Sequence, residues 1–559
     1  MTSRALHELE GRLGRFGPDA GRKKLALVRA LARARFDTPS ALQRFHECLC
    51  FLRAYADDAE LRTVVARELA RFARRADTRR HRARLETSGI AGTDLCFRFY
   101  HPTAEWLARR FPRALAIDWD AFDAAERIHV LLPVLLPWAE TQTLDEARSP
   151  RAALAAAKGP HEGDGAFLAR RIAALPCAPD LARALYDELD PPLVLRAGPD
   201  TPSRTLAACE PPAWFDQRAD LHRERPVLER AVREPPRSIQ AVSLARGKQL
   251  VALARDVMVV RARDLDAFMY ADPRDVRWID CGDGLAFAAL GVAPPQRLLL
   301  EAVYGFLTLK NGVPIGYVLA SALWNSCEVA YNVFETFRGG EAAWIYGRVL
   351  AMLQALFGAD TFTVYPYQLG HENEEGLRSG AWWFYQKLGF RPRERETLAL
   401  MRRELRRIAR DPRHRSALPV LRRLARHNVY WTATSAREDV IGRFPSERLG
   451  AAVTRAMARR YGAERERGVL ELSDELARRL GARGWRRLPT DELEAWRRWA
   501  PLLALVPDLE RWSSSERAGV VALLRAKGGR RESDFVRAFD GHARLRRALC
   551  RLAGVRSSE

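Results

Sequence analysis

The chain has 559 residues, of which 47% are hydrophobic and 29% are charged. This balance is that of a globular protein of about three to four domains, and it excludes wholesale disorder and collagen-like repeats. The 92 Lys and Arg residues exceed the 70 Asp and Glu residues, which gives a formal net charge of +22. A field of this sign attracts polyanions, so nucleic acid or an acidic partner is one candidate class of partner.

The eight cysteines are scattered along the chain and form no disulfide framework, which favours a reducing, cytoplasmic location. His46, Cys48 and Cys50 lie close together, but no second cluster at zinc spacing accompanies them, so we expect no metal site. The first residues lack the apolar stretch of a signal peptide, and the longest apolar run, 128–139, is short and interrupted by prolines. We therefore expect no membrane span.

The first predicted region, residues 1–235, is helical. Apolar residues recur at helical spacing among arginines, as in the run of Leu25, Val28 and Leu31. Between Leu61 and Ile90, nine arginines stand against three acidic residues. This run indicates a solvated helix face, with an RNA-binding or acidic-partner face as the alternative. A proline-rich stretch before residue 237 predicts the end of the region.

The second predicted region, residues 236–396, alternates short apolar strands with helices. One helix is predicted over 246–259 and another over 342–357, where Gly358 closes it. Asn311 and Gly312 form a tight hairpin signal between two strands. The strands are predicted over 276–281, 285–292, 303–309, 313–323, 328–334 and 361–365, and a last helix is predicted over 374–388.

The third predicted region, residues 397–559, returns to amphipathic helices, and Leu398, Met401 and Leu405 share one helix face. From Met401 to Tyr430, ten arginines stand against two acidic residues, for which a pair of solvated helices is the simplest interpretation. Together the three regions predict an α+β protein. Its central mixed β-sheet carries helices on both faces, and two mainly α-helical regions flank it.

The stretch that says most about chemistry lies between residues 304 and 392. There the predicted strand 328–334 runs into Gly339 and Gly340 and then into the helix over 342–357. Glycines permit close approach of the backbone, and the first N–H groups of a helix have no partner within it. Such a turn is an anion site that suits a pyrophosphate, and Arg338 adds a positive charge at its rim. Neither the dinucleotide fingerprint nor a Walker sequence is present.

Two segments of this stretch resemble the Gcn5-related N-acetyltransferase (GNAT) superfamily. The pyrophosphate loop of that superfamily, Q/R-x-x-G-x-G/A, corresponds to residues 337–342, with Gly340 and Ala342 at the small positions and Phe337 at the Gln/Arg position. The order of hairpin, strand, loop, helix, strand and helix agrees as well, over about residues 240–395. The superfamily's late helix motif, A-x-x-F/L-Y-x-K-x-G-F, is matched at every fixed place by Ala381, Phe384, Tyr385, Lys387, Gly389 and Phe390.

This resemblance implies a GNAT-like central domain that binds acetyl-CoA or another acyl-CoA as its co-substrate. The pyrophosphate would lie on backbone amides of the loop, and the pantetheine would pair with the strand edge at Val333–Glu335. A backbone N–H nearby would polarise the thioester carbonyl. The expected cofactor-binding residues are Val333, Phe334, Glu335, Phe337, Arg338, Gly339, Gly340, Glu341, Ala342 and Ala343.

The resemblance also gives Tyr385 the role of the acid that protonates the leaving thiolate. The high ordinary pKa of tyrosine suits this role. The alternative is that Tyr385 is a packed aromatic residue beside Trp382, Trp383 and Phe384.

An amine nucleophile also needs a general base, and a strand glutamate often serves in this superfamily. Glu328 is the first candidate and Glu335 the second, while His371 and Glu372 are the third. Asn373 is expected to cap the helix that follows.

Three functions are open at this point. The first is an acyltransferase that moves an acyl group from acyl-CoA to an amine-bearing acceptor by direct attack. The second is a catalytically degenerate GNAT-like protein that binds CoA or a partner. The third is a transferase associated with tRNA or another RNA, which the basic surface suits.

Overall fold

Two β-sheets organise the structure: a three-stranded sheet early in the chain and a nine-stranded sheet in its middle. The computed structural model describes residues 2–146 and 149–555.

Helices make up most of the first predicted region, but the region also holds the small antiparallel sheet, in which Leu195 lies opposite both Leu95 and Leu115. The sequence prediction missed this sheet because strands of three residues are too short to show an alternating pattern. The strands are β1 (Leu95–Phe97), β2 (Leu115–Ile117) and β3 (Leu193–Leu195). The helices are α1 (Thr2–Arg12), α2 (Pro18–Arg33), α3 (Pro39–Ala54), α4 (Ala59–Arg71), α5 (Ala76–Arg80), α6 (His101–Arg110), α7 (Arg127–Leu135), α8 (Pro150–Ala157), α9 (Asp164–Ala173), α10 (Pro179–Leu189) and α11 (Leu228–Ala231).

The large sheet has the order β11-β12-β10-β9-β8-β7-β6-β5-β4. Every neighbouring pair is antiparallel except β9 and β10, which are parallel. Its strands are β4 (Ser238–Ala241), β5 (Ala271–Gly282), β6 (Leu285–Val292), β7 (Ala302–Lys310), β8 (Val313–Leu323), β9 (Ser326–Val333), β10 (Thr361–Val364), β11 (Arg391–Pro392) and β12 (Val429–Thr432). The helices between these strands are α12 (Leu244–Val259), α13 (Asp266–Met269), α14 (Ala342–Phe357), α15 (Pro366–Leu369), α16 (Glu374–Ser379), α17 (Ala381–Lys387), α18 (Arg395–Arg410) and α19 (Leu418–Leu424).

The predicted hairpin between β7 and β8 is confirmed. Asn311 and Gly312 both have positive φ angles, 50° and 72°, as a two-residue turn between antiparallel strands requires. The predicted helix over 342–357 is confirmed at both ends, and Gly358 closes it in the left-handed conformation with φ 74°.

Two sequence predictions in this part of the chain need correction. The helix expected over 374–388 is interrupted at Gly380, whose φ of 71° ends α16 and starts α17. The sheet also continues past residue 396, because β12 pairs with β10 and with β11. A four-residue strand among helices gives no periodic signal of its own, so only its pairing reveals it.

Helices cover both faces of the large sheet. On one face, the ring of Phe268 from α13 lies 5.9 Å from that of Tyr317 on β8. On the other face, the ring of Phe357 from α14 lies 5.3 Å from that of Tyr304 on β7. The described residues thus form an α+β protein with a central mixed sheet between helical layers, and the predicted class is confirmed.

The remaining helices follow the sheet and pack onto it through one continuous apolar core that reaches from Phe51 to Ala553. Two smaller cores lie within residues 6–90 and, together with Val259, within residues 95–195. Across the residues that the structure describes, no helix is long and apolar enough to cross a membrane. The last helices are α20 (Ser446–Tyr461), α21 (Arg465–Leu480), α22 (Thr490–Leu503), α23 (Ser514–Gly528), α24 (Glu532–Gly541) and α25 (Ala543–Leu552).

Candidate functional site

The central feature of the site is the place where β9 and β10 separate. The two strands pair only between 326–328 and 361–363, whereas β9 continues to Val333. β8 accompanies β9 along its whole length. The second half of β9 therefore has a neighbouring strand on one side and none on the other, and this unpaired side is called the cleft below.

Strand alternation shows which backbone groups face this cleft. The N–H of Phe334 donates to the carbonyl of Ile315 at 2.9 Å, so Phe334 is bonded toward β8. Because bonding directions alternate along a strand, Val329, Tyr331 and Val333 turn their N–H and C=O groups away from β8. The open edge thus ends at Val333, and the expected pairing of Phe334 with a ligand does not agree with its bond to Ile315.

The loop after β9 holds a run of unused backbone donors. Within the described residues, none of the N–H groups of residues 339–344 has a hydrogen-bond acceptor. Gly339 has a φ of 84°, and no atom lies within 4 Å of the place where its Cβ would stand. The run leads into the first turn of α14, whose N-terminus carries partial positive charge. Backbone amides arranged in this way can hold an anion, and residues 339–344 are called the cradle below.

The expected loop residues have different surroundings. The side chain of Phe337 is buried, and its ring stacks on that of Phe51 in α3 at 6.3 Å. Arg338 is exposed, forms an ion pair with Glu375 of α16, and donates from Nε to the carbonyl of Val333 at 3.2 Å. Phe337 therefore fixes the loop to the first region, while Arg338 stands at the rim of the cleft.

Glu341 is buried under the loop and forms an ion pair with Lys310, whose Nζ lies 3.3 Å from the carboxylate. The same carboxylate accepts the N–H of His222 at 3.3 Å. Burial lowers the pKa of Lys310, and the charge of Glu341 opposes that shift. Glu341 thus ties the start of α14 to the β7–β8 hairpin, which is a structural role and not direct contact with an anion.

Three tyrosines meet on the α14 side of the cleft. The ring of Tyr346, on α14, lies 5.4 Å from that of Tyr385 on α17 and 5.3 Å from that of Tyr331 on β9. The hydroxyl of Tyr331 donates to the carbonyl of Ala342 at 3.1 Å. The hydroxyl of Tyr346 is buried and has no hydrogen-bond partner among the described residues. Such a hydroxyl is an exception, because buried polar groups are mostly hydrogen-bonded.

Tyr385 is itself buried, and this burial raises its pKa above the ordinary value for tyrosine. Its ring also contacts those of Phe384 and Phe390, at 5.2 and 5.9 Å. The structure therefore shows Tyr385 as a packed aromatic residue of the tyrosine cluster, and its role as a proton donor stays a prediction.

Glu328 lies on β9 where the strands begin to separate, on the opposite sheet face from Tyr331. Burial, and second the charge of Glu301, raise the pKa of Glu328 to about 7. Glu301 accepts a hydrogen bond from Ser321, which lies directly opposite Glu328 in the sheet. The Glu328 carboxyl group has no hydrogen-bond partner within the ranges that the structure describes, so its proton is available for exchange.

The other candidate bases lie outside this arrangement. Glu335 is exposed and begins a 3₁₀ turn, Glu335–Phe337, after the end of β9. His371 and Glu372 are exposed in the turn before α16. Asn373 accepts the N–H of Gly376 at 3.0 Å, so it caps α16 as expected.

Several residues of the site were not found by sequence reasoning. Tyr331, Tyr346 and Glu301 are far apart in the chain from Tyr385 and carry no motif. Only the strand register and the packing of α14 and α17 bring them to the cleft. Within residues 2–146 and 149–555, no cluster of His, Cys, Asp and Glu is arranged to hold a metal ion.

Comparison with known proteins adds no relative to this description. No family model, no curated protein and no solved structure matches the chain.

Proposed function

We propose that this protein is an acyltransferase that moves an acyl group from acyl-CoA to an amine-bearing acceptor by direct attack. The observation that carries the proposal is the open half of β9 leading into the unused amides of 339–344. A strand edge beside a backbone anion cradle suits an extended amide chain that ends in a pyrophosphate. The GNAT resemblance of residues 337–342 and 381–390 supports the same ligand.

Acyl-CoA fits the residues present. The amides of 339–344 would hold the pyrophosphate. The backbone groups of Tyr331 and the N–H of Val333 would pair with the amides of the pantetheine, while the carbonyl of Val333 already accepts from Arg338. The buried, unpaired hydroxyl of Tyr346 offers a further donor in the cleft. When bound, the thioester supplies the acyl group and a thiolate leaving group.

Glu328 and Tyr385 each take one of the two proton transfers: Glu328 removes a proton from the amine, and Tyr385 gives a proton to the leaving thiolate. With a pKa of about 7, Glu328 is partly ionised at neutral pH and accepts a proton from an ammonium group. The raised pKa of Tyr385 keeps its hydroxyl protonated, so it serves as a donor to a thiolate. The two groups lie on opposite faces of the sheet, which permits the amine and the leaving group to be approached from different sides.

One observation favours the second candidate, a GNAT-like protein that binds CoA or a partner without turnover. Phe337, at the position where the superfamily has Gln or Arg, packs against Phe51 and offers the anion no side-chain donor. The backbone cradle remains complete in that case, so the two candidates differ in chemistry and not in ligand.

Titration calorimetry followed by a turnover assay separates them. Acetyl-CoA, CoA and a long-chain acyl-CoA are titrated into the whole protein, and release of free thiol is then followed with a set of primary amines. Saturable binding with amine-dependent thiol release supports the acyltransferase. Binding without release supports the binding protein, and absence of binding to all three refutes both.

A further inference from the structure

A pocket with a volume of about 540 Å³ opens in the first region, and none of its lining residues belongs to the motifs used above. The end of α4, helix α5 and the loop over 197–206 form its walls. Its three arginines belong to the arginine-rich run from Leu61 to Ile90, to which the proposed acyltransferase gives no role. A size of this order suits a small organic ligand.

All the charged residues that line the pocket are basic. Arg74, Arg79 and Arg82 line it, and no carboxylate does. Arg82 pairs with Asp94 at 2.6 Å. Arg74 and Arg79 have no ion-pair or side-chain hydrogen-bond partner in the described parts of the chain. Two uncompensated guanidinium groups at one pocket favour a ligand with a phosphoryl group.

The acidic residues of the same run are all engaged elsewhere. Asp77 pairs with Arg75 at 2.9 Å and accepts the N–H of Phe36 at 3.2 Å. Glu68 pairs with Arg67, and Glu86 accepts the thiol of Cys96. The fold therefore uses the acids of this run for structure and leaves the pocket positive. The hydroxyl of Thr78, in the pocket wall, is buried and unpaired.

Apart from Thr201, whose hydroxyl is bonded to Gly198, the rest of the lining is apolar and small. Leu206, half exposed at 51%, and Pro199 lie on the wall formed by the 197–206 loop. No aromatic residue lines the pocket, so it offers no surface on which a nucleic-acid base would stack. This favours a small amphiphilic ligand over RNA.

We propose that this pocket binds a small phosphate ester, with its phosphoryl group on Arg74 and Arg79 and its apolar body against Leu206 and Pro199. The site is separate from the cradle at 339–344, and the proposal stands independently of the acyltransferase.

Calorimetry on the whole protein tests it with hexyl phosphate, inorganic phosphate and a short single-stranded RNA as probes. We expect hexyl phosphate to bind saturably and more tightly than inorganic phosphate. The double variant Arg74→Gln/Arg79→Gln is expected to bind hexyl phosphate about tenfold more weakly, because two charged hydrogen-bond donors are lost.

The matched control is Arg402→Gln/Arg403→Gln, which removes the same charge from exposed, unpaired arginines on α18. The control should retain wild-type affinity for hexyl phosphate, and so should Gly340→Asp in the other anion site. Three results would overturn the proposal. They are an equal loss of hexyl phosphate affinity in both double variants, no saturable binding of hexyl phosphate to the wild type, and binding of RNA by a protein that does not bind hexyl phosphate.

Discussion

The two halves of β9 show how one strand serves two purposes. At the Ser326 end, β9 has neighbours on both sides, and Glu328 marks the last paired position. At the Val333 end, β8 remains but β10 is absent, and the strand continues into amides that no acceptor uses. The paired half gives rigidity, and the open half leaves backbone donors and acceptors for a ligand. The end of the β9–β10 pairing is thus what opens the edge at which we propose that the ligand binds.

The largest effect that we expect concerns Tyr385 on α17, which lies in the tyrosine cluster beside the open half of β9. Tyr385→Phe removes the hydroxyl and keeps the ring that packs on Tyr346 and Phe390. If Tyr385 is the proton donor, kcat falls about a thousandfold while the affinity for acetyl-CoA stays near the wild-type value. Steady-state kinetics and calorimetry measure the two. Tyr346→Phe is the matched control within the cluster, and an unchanged kcat in Tyr385→Phe would remove its assigned role.

The next prediction concerns the support beneath the loop. Lys310→Met leaves the buried carboxylate of Glu341 without its cation, and we expect the free energy of unfolding to fall by about 3 kcal/mol. Denaturant unfolding measures this change. The double variant Lys310→Met/Glu341→Gln removes both charges and should recover most of the loss. A single variant as stable as the wild type would show that the pair does not hold the loop.

The third prediction tests whether the loop that follows the open half of β9 binds an anion, by placing a negative charge in it. The space beside Gly340 admits a Cβ, because the nearest atom, the carbonyl oxygen of Phe337, would lie 3.4 Å away. Gly340→Asp should weaken acetyl-CoA binding about a hundredfold, because like charges would meet. Gly340→Asn has the same shape without the charge and should bind more tightly than Gly340→Asp. Equal affinities of the two variants, measured by calorimetry, would contradict an anion site here.

The smallest effect concerns Glu328 at the junction of the halves. Its folded-state pKa of about 7 lies above its ordinary value of 4.5, so the folded protein holds this proton more tightly than the unfolded chain. The contribution of Glu328 to the free energy of unfolding therefore falls as pH rises from 4.5 to about 7 and stays low above that. Glu328→Gln lacks this loss. Because solvent screens part of the effect at this partly exposed side chain, we expect the variant to be more stable than the wild type at pH 8 by about 2 kcal/mol.

Urea unfolding at low and high pH measures this difference, and Glu372→Gln, at an exposed carboxylate, is the control. Identical pH dependence in wild type and Glu328→Gln would contradict the raised pKa. The same raised pKa predicts that kcat/KM increases with pH through about 7, since ionised Glu328 is the base that we propose.

Local patterns in the sequence predicted much of this fold. The strands from β5 to β10 and the helix over 342–357 follow from apolar runs, the Asn311–Gly312 turn and the Gly358 cap, all of which act within a few residues. The three-residue strands β1, β2 and β3 and the distant partner β12 were missed, because they exist only through pairing with remote residues.

For the candidate site as well, the sequence predicted the features that depend on local motifs and missed those that depend on register or packing. The glycine turn before a helix predicted an anion site where the structure has backbone amides without acceptors, and the motif predicted a role for Tyr385 that stays a prediction. The phase of hydrogen bonding along β9 depends on its register with β8, which no local pattern fixes. For this reason the sequence placed the open edge at Val333–Glu335, whereas the N–H of Phe334 is bonded to Ile315. The meeting of Tyr331, Tyr346 and Tyr385 likewise depends on packing between three separate elements.

Hydrogen exchange of the backbone, followed with and without acetyl-CoA, tests the central claim most directly. The unused amides of 339–344 and the open edge of β9 are the groups that the ligand would engage. We predict that acetyl-CoA slows exchange in peptides that cover residues 329–344 and leaves the paired strands β6 and β7 unchanged. Exchange in 329–344 that does not respond to a saturating ligand, or protection confined to another part of the chain, would contradict the account.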